Sequence, residues 1–392
     1  MALRVLHASK FYPPYNGGME TILGDLCDGT AGDWDVNVVV ANEGPRTVRE
    51  RRNGVAVTRA ASHGTAASVP LCPSLPSQLW RQRADCVILH EPNPIAGTAL
   101  WLRTPAPRFV VWHHSDLVRP FWAPATYGRI QRALYRRADC VIVSSPALAR
   151  DSALVQSARR VCVIPFGVDV DRYRRADAER MERVTRIRAR FASGPLLLFV
   201  GRLVYYKGVH VLIEAANQWP GPVALVGDGP LESELRADAV RRGLVDRVVF
   251  LGRVSNDDLP AYYQACDAFV LPSVARTEAF GVVQIEAMAA GKPVVSTNLP
   301  TGVPWVNRDG VSGMVVAPEN ADALGAALAA LGNDPALRSR LGAGARSRAE
   351  SLFTRGRMVQ SFKTLIETVV QSPARLAELP RPADVERVDF AS

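Results

Sequence analysis

The sequence predicts an α/β protein built from two doubly wound parallel-sheet domains that face a central cleft. Short, continuously apolar runs alternate with helical patterns, as expected when helices cover both faces of a parallel sheet. The alternation stops at a charged segment, ADAERMERVTRIRARF (176–191), and then restarts. The length of 392 residues also suits about two domains.

The first domain is predicted over 1–175 and the second over 192–354. Apolar runs are predicted strands of the first domain at 4–9, 36–41, 85–90, 108–113, 139–145 and 160–166. Corresponding runs in the second domain lie at 195–202, 223–229, 247–253, 268–273, 293–298 and 313–318. A helix at 355–371 is expected to return to the first domain. The Pro-rich segment 372–392 is expected to be disordered.

The composition points to a cytoplasmic protein. No apolar run approaches the roughly 20 residues of a membrane-spanning helix, and the first residues do not have the pattern of a signal peptide. The six cysteines form no Cys-x-x-Cys pair, which favours a reducing compartment over a disulfide scaffold or a metal cluster.

The positive charge is concentrated in the first half. The net charge is +9, and the residues up to Arg190 hold 27 Lys+Arg against 17 Asp+Glu. Arginines lie among aromatic residues in 119–137, and the apolar, Pro-rich stretch 67–80 contains a tryptophan. This surface suits either solvent or an anionic membrane face, to which the protein would bind peripherally. No nucleic-acid partner is expected, because no binding motif accompanies the charge.

Two glutamates, Glu278 and Glu286, bracket a small and apolar run in the second domain. The pattern predicts a loop bearing Glu278 and then a helix that contains Glu286. The backbone N–H groups of 279–282 would then form a helix N-terminus, which suits a phosphate or a sugar hydroxyl, and Gly281 permits close approach of a ligand. Alternatively, Glu278 is only a helix-start carboxylate and Glu286 a surface residue.

Two further loops carry groups suited to a diphosphate. Arg202 and Lys207 follow a predicted strand in GRLVYYKG, where their charges could hold a diphosphate. Gly17 and Gly18 lie in the first strand-to-helix loop, where the backbone can approach phosphate. Neither domain has a Gly-x-Gly-x-x-Gly segment after its first strand, which disfavours a dinucleotide dehydrogenase. The strings DWD (33–35) and DVD (169–171) are interpreted as structural, so no metal is expected.

Several motifs occur in a characteristic order along nearly the whole chain. They are YPPYNGGMET, WHHSDLVRP, VIPFGVD, GRLVYYKG, VGDGPLESELR, the Glu-x7-Glu segment with EAMAAGKPVV, and GVSGMVVAP. In this order they resemble the retaining glycosyltransferases of family four, which have the GT-B fold of two Rossmann-like domains. The resemblance implies transfer of a sugar from an α-linked nucleotide donor with its configuration retained, without a metal or another cofactor.

The resemblance also implies roles for individual residues. Its catalytic set comprises His114, Arg202, Lys207 and Glu278, and its donor-binding set Gly17, Gly18, Arg202, Lys207, Glu278, Ala279, Phe280, Gly281, Val282 and Glu286. Arg202 and Lys207 would hold the diphosphate, and Glu278 would orient the transferred sugar. Glu286 would bind the ribose, and His114 would contact the sugar, with His113 as the alternative.

The segments 90–101, 112–120 and 296–313 are most similar to mannosyltransferases of bacterial polysaccharide assembly. This similarity implies GDP-mannose as donor and a polyprenyl-diphosphate-linked oligosaccharide or a similar glycan as acceptor. A UDP-hexose donor stays open, since a few loop contacts can decide donor choice. A non-catalytic nucleotide-sugar-binding partner is the alternative from another class.

Overall fold

The computed structural model describes residues 2–15, 17–66, 69–116 and 127–387. The chain forms two compact units, Met1–Phe166 with Gly356–Ser392, and Gly167–Arg355. The division between them lies before the expected boundary at 175, and the charged segment 176–191 belongs to the second unit. The prediction of an α/β fold with two parallel-sheet domains is confirmed.

The first unit is built on a sheet of eight strands within the described residues, in the order β10-β9-β8-β7-β1-β2-β4-β3. Its strands are β1 Arg4–Ala8, β2 Asp35–Ala41, β3 Val48–Arg52, β4 Val55–Ala60, β7 Cys86–Glu91, β8 Arg108–His113, β9 Cys140–Val143 and β10 Val161–Val163, and a separate pair is formed by β5 Thr65–Ala66 and β6 Val69–Pro70. All pairs in the large sheet are parallel except β3 with β4. The order in which the chain adds strands reverses between β1 and β7, which are themselves parallel.

The helices of the first unit cover this sheet. They are α1 Gly18–Thr30, α2 Leu75–Trp80, α3 Pro94–Leu102, α4 Gly128–Arg137 and α5 Pro146–Asp151, with a 3-10 turn at Val155–Ser157. The central strands are buried on both faces, which explains their unbroken apolar sequences.

The β3–β4 hairpin was not predicted from the sequence. Its two-residue turn is Asn53-Gly54, and both residues have positive φ, as the tight turn of a hairpin requires. Every residue of β3 is exposed. The strand therefore lacks the apolar pattern by which the other strands were recognised, and its charged side chains protect the sheet edge.

The second unit contains a sheet of six parallel strands within the described residues, in the order β13-β12-β11-β14-β15-β16. Its strands are β11 Leu197–Val200, β12 Val223–Val226, β13 Val248–Gly252, β14 Ala268–Leu271, β15 Val294–Thr297 and β16 Gly313–Val316. Its helices are α6 Val170–Arg174, α7 Ala178–Arg190, α8 Val209–Ala215, α9 Glu232–Arg241, α10 Leu259–Ala265, α11 Val282–Ala289, α12 Val303–Val306, α13 Ala321–Asn333 and α14 Pro335–Leu352, with 3-10 turns at Tyr205–Lys207 and Ala216–Gln218. The strand order reverses between β11 and β14.

The chain continues through α15 Arg355–Gln371 and two 3-10 segments, Pro373–Glu378 and Pro382–Arg387. In α15, Phe362 contacts Trp34 and His7 of the first unit. No helix within the described ranges is long and apolar enough to cross a membrane.

The expectation that 372–392 is disordered is wrong for the part that the structure describes. The backbone N–H of Val161, in the edge strand β10, donates to the carbonyl of Pro380 at 3.0 Å. Val385 is 1% exposed and belongs to the core beneath the first sheet. The polar composition of the segment did not predict these two contacts. Residues 388–392 lie outside the described part.

We predict that Val385→Ala lowers the free energy of unfolding of the first unit by about 1–3 kcal/mol, because a buried branched side chain is lost. Thermal unfolding of the full chain measures the effect. Glu378→Ala, at an exposed position of the same segment, is the matched control and should leave the midpoint unchanged. Equal midpoints for the two variants would contradict this packing.

Candidate functional site

The loops after β11 and β14 form the candidate site of the second unit. The two strands are neighbours and lie where the strand order reverses, and ligands of open α/β sheets bind beside the carboxyl ends of strands at such a point. The β11 loop carries Arg202 and Lys207, and the β14 loop carries Glu278. The sheet topology thus brings together groups that are about seventy residues apart in the chain.

Lys207 and Glu278 form a buried ion pair. The Nζ of Lys207 lies 2.5 Å from Oε2 of Glu278, and the exposed fractions of the two residues are 9% and 8%. The same carboxylate oxygen accepts a hydrogen bond from the hydroxyl of Ser273 at 3.1 Å. Ser273 is held in turn through its carbonyl, which accepts from the Thr297 hydroxyl. The position of Glu278 is therefore fixed from two neighbouring strands.

The charge of Lys207 is maintained despite its burial. Burial disfavours the ammonium form, but the attraction of Glu278, the contribution of Tyr206 and the hydrogen bond to Glu278 outweigh it, so that the pKa of Lys207 is raised. A raised pKa keeps the side chain cationic at neutral pH. Only one of its three N–H groups is needed for Glu278, so the others can donate to an anionic ligand.

Gly208 allows the β11 loop to lie against the β14 loop. Its φ is +67°, and a Cβ at this position would lie 1.9 Å from the carbonyl oxygen of Pro272. Only glycine fits this contact. A hydrogen bond from the N–H of Val274 to the carbonyl of Tyr206 joins the same two loops. The close backbone approach is what places Lys207 beside Glu278.

The helix predicted around Glu286 is α11, and it begins after Gly281, whose φ is +72°. The N–H groups of Ala279, Gly281 and Val282 donate no hydrogen bond to any of the described residues, as expected where a helix begins. The buried amide of Gln284 donates to the carbonyl of Phe280 at 2.7 Å. This contact supports the turn. The N–H groups beside Glu278 that lack a partner among the described residues can donate to an anion or a hydroxyl oxygen.

Arg202 differs from Lys207 in its surroundings. It is exposed, and its guanidinium makes no hydrogen bond or ion pair with the part of the chain that the structure describes. The side chain is near enough to Tyr206 to influence the pKa of its hydroxyl. Arg202 thus remains available to a ligand, but the structure does not show it in contact with Lys207 or Glu278.

Glu286 lies one turn into α11 and has its own partners. Its Oε2 accepts from the hydroxyl of Tyr263, on α10, at 2.6 Å, and Tyr173, on α6, also donates to the carboxylate. Burial raises the pKa of Glu286, although the two tyrosines and Arg172 oppose the shift. Glu278 and Glu286 therefore have different hydrogen-bond partners. The contacts of Tyr263 and Tyr173 with Glu286 were not predicted, because they depend on the packing of α6 and α10 against α11.

In the first unit, His114 follows the last residue of β8 and is 4% exposed. Its Nε2 is 2.9 Å from Nδ1 of His90, whereas its Nδ1 is buried without a partner among the described residues. His113, the alternative, is 2.6 Å from the hydroxyl of Tyr135 through Nδ1. Its Nε2 lies 3.6 Å from Asp116. Successive residues point to opposite faces of a strand, so the two histidines serve different surroundings.

Gly17 and Gly18 lie at the start of α1, also in the first unit. Gly17 is extended and precedes the helix, and Gly18 is its first residue. A Cβ on Gly17 would lie 2.1 Å from a carboxylate oxygen of Glu20, so a larger residue would displace that side chain. Burial raises the pKa of Glu20, a shift that its backbone hydrogen bond and Lys10 oppose. The contact of Glu20 with this loop was not predicted.

The strings DWD and DVD have structural contacts. Asp33 pairs with Lys363 at 2.5 Å, and Asp169 accepts a hydrogen bond from the backbone N–H of Arg172 at the start of α6. The described residues contain no cluster of three or more His, Cys, Asp or Glu side chains that could hold a metal ion.

Comparisons with known proteins give the same two-part division. Residues 17–167 match the family described as glycosyl transferase 4-like domain, and residues 182–348 match glycosyl transferases group 1. The O-antigen chain mannosyltransferase C of Escherichia coli is 32% identical, over 94% of this chain and 100% of its own. The chain is a family-four glycosyltransferase.

Other proteins similar to this glycosyltransferase act on different sugars. The D-rhamnosyltransferase WbpZ of Pseudomonas aeruginosa is 33% identical over 90% of this chain and 92% of its own. A GDP-mannose-dependent alpha-(1-6)-phosphatidylinositol monomannoside mannosyltransferase of Mycobacterium tuberculosis is 28% identical over 98% and 100%. These relatives differ in the sugar that their names state, which is mannose for two of them and D-rhamnose for the third.

The fold of this glycosyltransferase is GT-B, as the sequence resemblance implied. The crystal structure of Anabaena HepE in complex with UDP superposes with a TM-score of 0.77 at 24% identity, and covers 93% of this chain and 100% of that one. A likeness at this level of identity shows the fold. The donor and the acceptor are therefore argued from the chemistry of the site.

Proposed function

We propose that this glycosyltransferase moves a mannosyl group from GDP-mannose to a polyprenyl-diphosphate-linked oligosaccharide or a similar glycan in polysaccharide assembly, with retention of configuration. The buried Lys207–Glu278 pair at the reversal point of the second sheet is the observation that carries the proposal. It offers a fixed cation for a diphosphate next to a carboxylate suited to sugar hydroxyls. The similarity to the O-antigen mannosyltransferase over its full length supports the choice of sugar.

The proposed chemistry is a substitution at the anomeric carbon of the donor. The bond between this carbon and the diphosphate oxygen breaks, and a bond to the acceptor hydroxyl oxygen forms. The acceptor proton passes to the departing diphosphate, so no general base of the protein is required. Lys207 and Arg202 stabilise the negative charge that grows on the diphosphate, and fixed cations that act on charge developed in the transition state are a major source of catalysis.

The remaining groups of the second unit position the donor. Glu278 and the N–H groups of Ala279, Gly281 and Val282 receive the hydroxyls of the transferred sugar. Glu286 accepts hydrogen bonds from the ribose through the carboxylate lone pairs that Tyr263 and Tyr173 do not use. His114, Gly17 and Gly18 contribute from the first unit, where His114 contacts the sugar.

Glu286→Ala is expected to raise the KM for the donor about tenfold with a smaller effect on kcat, because ribose contacts do not change during sugar transfer. Initial rates at varied donor concentration measure the change. Tyr263→Phe is the matched control, since it removes one of the two tyrosine hydroxyls that hold the carboxylate, and a smaller rise in KM is expected. A wild-type KM for Glu286→Ala would remove this residue from the ribose site.

A donor panel tests the proposal as a whole. The purified chain is incubated with GDP-mannose, GDP-linked 6-deoxymannose and UDP-glucose, and thermal stability and slow hydrolysis are recorded. GDP-mannose is expected to raise the unfolding midpoint, since a ligand at 100 times its Kd stabilises by about 2.7 kcal/mol, and to be hydrolysed. Stabilisation by UDP-glucose alone would overturn the choice of donor, and binding without hydrolysis or transfer would favour the non-catalytic alternative.

A D-rhamnosyl donor is the second candidate. Its support is the 33% identity to a D-rhamnosyltransferase over nearly the whole chain. D-rhamnose is 6-deoxymannose, so the two donors differ at a single hydroxyl. A higher kcat/KM with the GDP-linked 6-deoxy sugar than with GDP-mannose would decide for this candidate.

We further propose that the first unit binds an anionic membrane surface that carries the acceptor. The exposed arginines Arg129, Arg132 and Arg136 on α4 support this proposal. Part of the basic, aromatic stretch, residues 119–126, and the start of 67–80 lie outside the described residues. The fraction of protein that sediments with vesicles containing phosphatidylglycerol should fall when Arg132 and Arg136 are replaced by glutamate. The control Arg186→Glu, in the second unit, should sediment like the wild type. Equal sedimentation of all variants would contradict the proposal.

A further inference from the structure

Three histidines on neighbouring strands of the first sheet form a row. In the parallel register His7 of β1 stands opposite Ile88 of β7, and His90 of β7 stands opposite Trp112 of β8. His90 is two residues beyond Ile88, and His114 is two residues beyond Trp112. Since side chains alternate along a strand, the three imidazoles lie on one face. The row rises from β1 towards the carboxyl end of β8.

The rings are joined by two hydrogen bonds. His7 Nδ1 lies 3.0 Å from His90 Nε2, and His90 Nδ1 lies 2.9 Å from His114 Nε2. Both nitrogens of His90 are therefore used. The two ends of the row, His7 Nε2 and His114 Nδ1, are buried and have no partner among the described residues.

The surroundings of the row are aromatic. Trp112 lies parallel to His114, with the ring centroids 5.8 Å apart, and Phe362 contacts both Trp112 and the His7 end of the row. Burial lowers the pKa of His7 and that of His114 to about 3, and the pKa of His90 lies well below its ordinary value, with smaller contributions from the neighbouring histidines. All three rings are neutral at neutral pH.

A neutral imidazole has one N–H donor and one lone pair, and this restricts the row to two arrangements. In the first, every ring carries its proton on Nδ1, each donates towards His114, and His114 presents an Nδ1–H. In the second, every ring carries its proton on Nε2, and His114 presents a lone pair while His7 holds a buried N–H without a partner. Each arrangement leaves one N–H at an end of the row, at His114 Nδ1 in the first and at His7 Nε2 in the second. His7 is 0% exposed and lies within β1, whereas His114 is 4% exposed and follows the carboxyl end of β8. Ligands of such sheets bind at the carboxyl ends of the strands, so only the first arrangement places this N–H where a ligand oxygen can accept from it.

We propose that His7 and His90 are positioning residues that hold His114 as the Nδ1–H tautomer, so that His114 donates a hydrogen bond to a hydroxyl oxygen of the bound sugar. The partner of a neutral imidazole nitrogen decides which nitrogen carries the proton. The inference rests on the proposed function for its substrate and on the geometry of the row for the tautomer. It assigns a role to two buried histidines that the donor site does not otherwise use.

The tautomers can be read directly by NMR of the full chain with 15N-labelled histidine and no added donor. The expected result is a protonated, pyrrole-type Nδ1 and an unprotonated, pyridine-type Nε2 for His7, His90 and His114. A protonated Nε2 on His114 would overturn the proposal. This measurement does not require turnover, so a failure of the proposed function, seen as no reaction with any nucleotide sugar, is separate from a failure of the tautomer assignment.

Two substitutions at the middle of the row separate positioning from structural support. Gln can accept from His7 and donate to His114 as His90 does, whereas Phe can do neither. His90→Phe is expected to lower kcat/KM about tenfold or more and to change the His114 tautomer signal, whereas His90→Gln should keep most of the activity and the Nδ1–H signal. His90→Phe is also expected to be less stable than His90→Gln, because it leaves buried nitrogens of His7 and His114 without partners, so activity is compared at temperatures where both variants are folded.

The order of the two variants therefore decides the role of His90. A wild-type kcat/KM in folded His90→Phe would show that the row only supports the core. If His90→Phe does not fold, the wild-type tautomers and the His90→Gln kinetics still decide the matter, since loss of activity with an unchanged Nδ1–H signal in His90→Gln would also count against the proposal.

Discussion

Lys207→Ala is expected to lower kcat by about 10²–10³-fold, the usual loss when one fixed group that stabilises transition-state charge is removed. Lys207 is cationic in a buried site, where its attraction for an anion is screened less than in water. Single-turnover rates with saturating donor measure the chemical step. Lys292→Ala, which removes a partly buried lysine between α11 and β15, is the control for loss of charge and should retain wild-type kcat.

The same substitution also leaves Glu278 buried without its partner. Breaking a buried ion pair destabilises by about 3–5 kcal/mol, so activity has to be compared at temperatures where the variant is folded. Lys207→Ala/Glu278→Ala should recover part of the stability and none of the activity. An unchanged kcat in folded Lys207→Ala would remove the lysine from catalysis, and recovery of turnover in the double variant would show that the pair is only structural.

Acidification from pH 6.5 to pH 4 is expected to destabilise the protein strongly through four buried histidines. Burial lowers the pKa of His7 and His114 to about 3 and that of His90 well below 6.5, and it lowers that of His113 to about 4 against the opposing effect of Asp116. Because the unfolded chain binds protons near pH 6.5 and the folded chain does not, stability is full above 6.5 and is lost as pH falls. Each such group contributes up to about 1.4 kcal/mol per pH unit.

Three buried carboxyl groups have the opposite effect on stability. Burial raises the pKa of Glu20, Glu91 and Glu286 above 4.5. As the pH falls towards 4.5, the folded protein therefore binds protons at these groups before the unfolded chain does, and the folded state is stabilised. They offset part of the histidine effect in the lower half of the window. The steepest loss of stability is therefore expected about one pH unit below 6.5, where the histidines of the unfolded chain are mostly protonated and those of the folded chain are not.

Denaturant unfolding at a series of pH values measures this dependence. His7→Phe should reduce the number of protons taken up on unfolding by up to one relative to the wild type. A free energy of unfolding that stays flat between pH 6.5 and pH 4 would show that these histidines are not held neutral in the folded protein.

The strands and the helix around Glu286 could be predicted from the sequence because their signals are local. The strands buried on both faces read as apolar runs, and Gly281 marks the start of α11. The edge hairpin was missed because β3 has no apolar face and only Asn53-Gly54 announces the turn. An Asn-Gly dipeptide between two β-rich runs is by itself a signal for a hairpin.

The contacts of the site could not be predicted, since they depend on distant segments. Whether Lys207 reaches Glu278 is decided by the approach of Gly208 to Pro272, and the sequence shows only that a glycine follows the lysine. The histidine row likewise depends on the register of β1, β7 and β8. Strand order and register follow from the packing of the whole sheet, and no local pattern encodes them.

A crystal structure of the full chain with GDP-mannose, or with the product GDP, tests the central claim most directly. The proposed function predicts diphosphate oxygens within about 3 Å of the Lys207 Nζ, with the Arg202 guanidinium turned towards the same group. A nucleotide bound to the protein with its diphosphate away from both cations would contradict the proposed site, even with the GT-B fold unchanged.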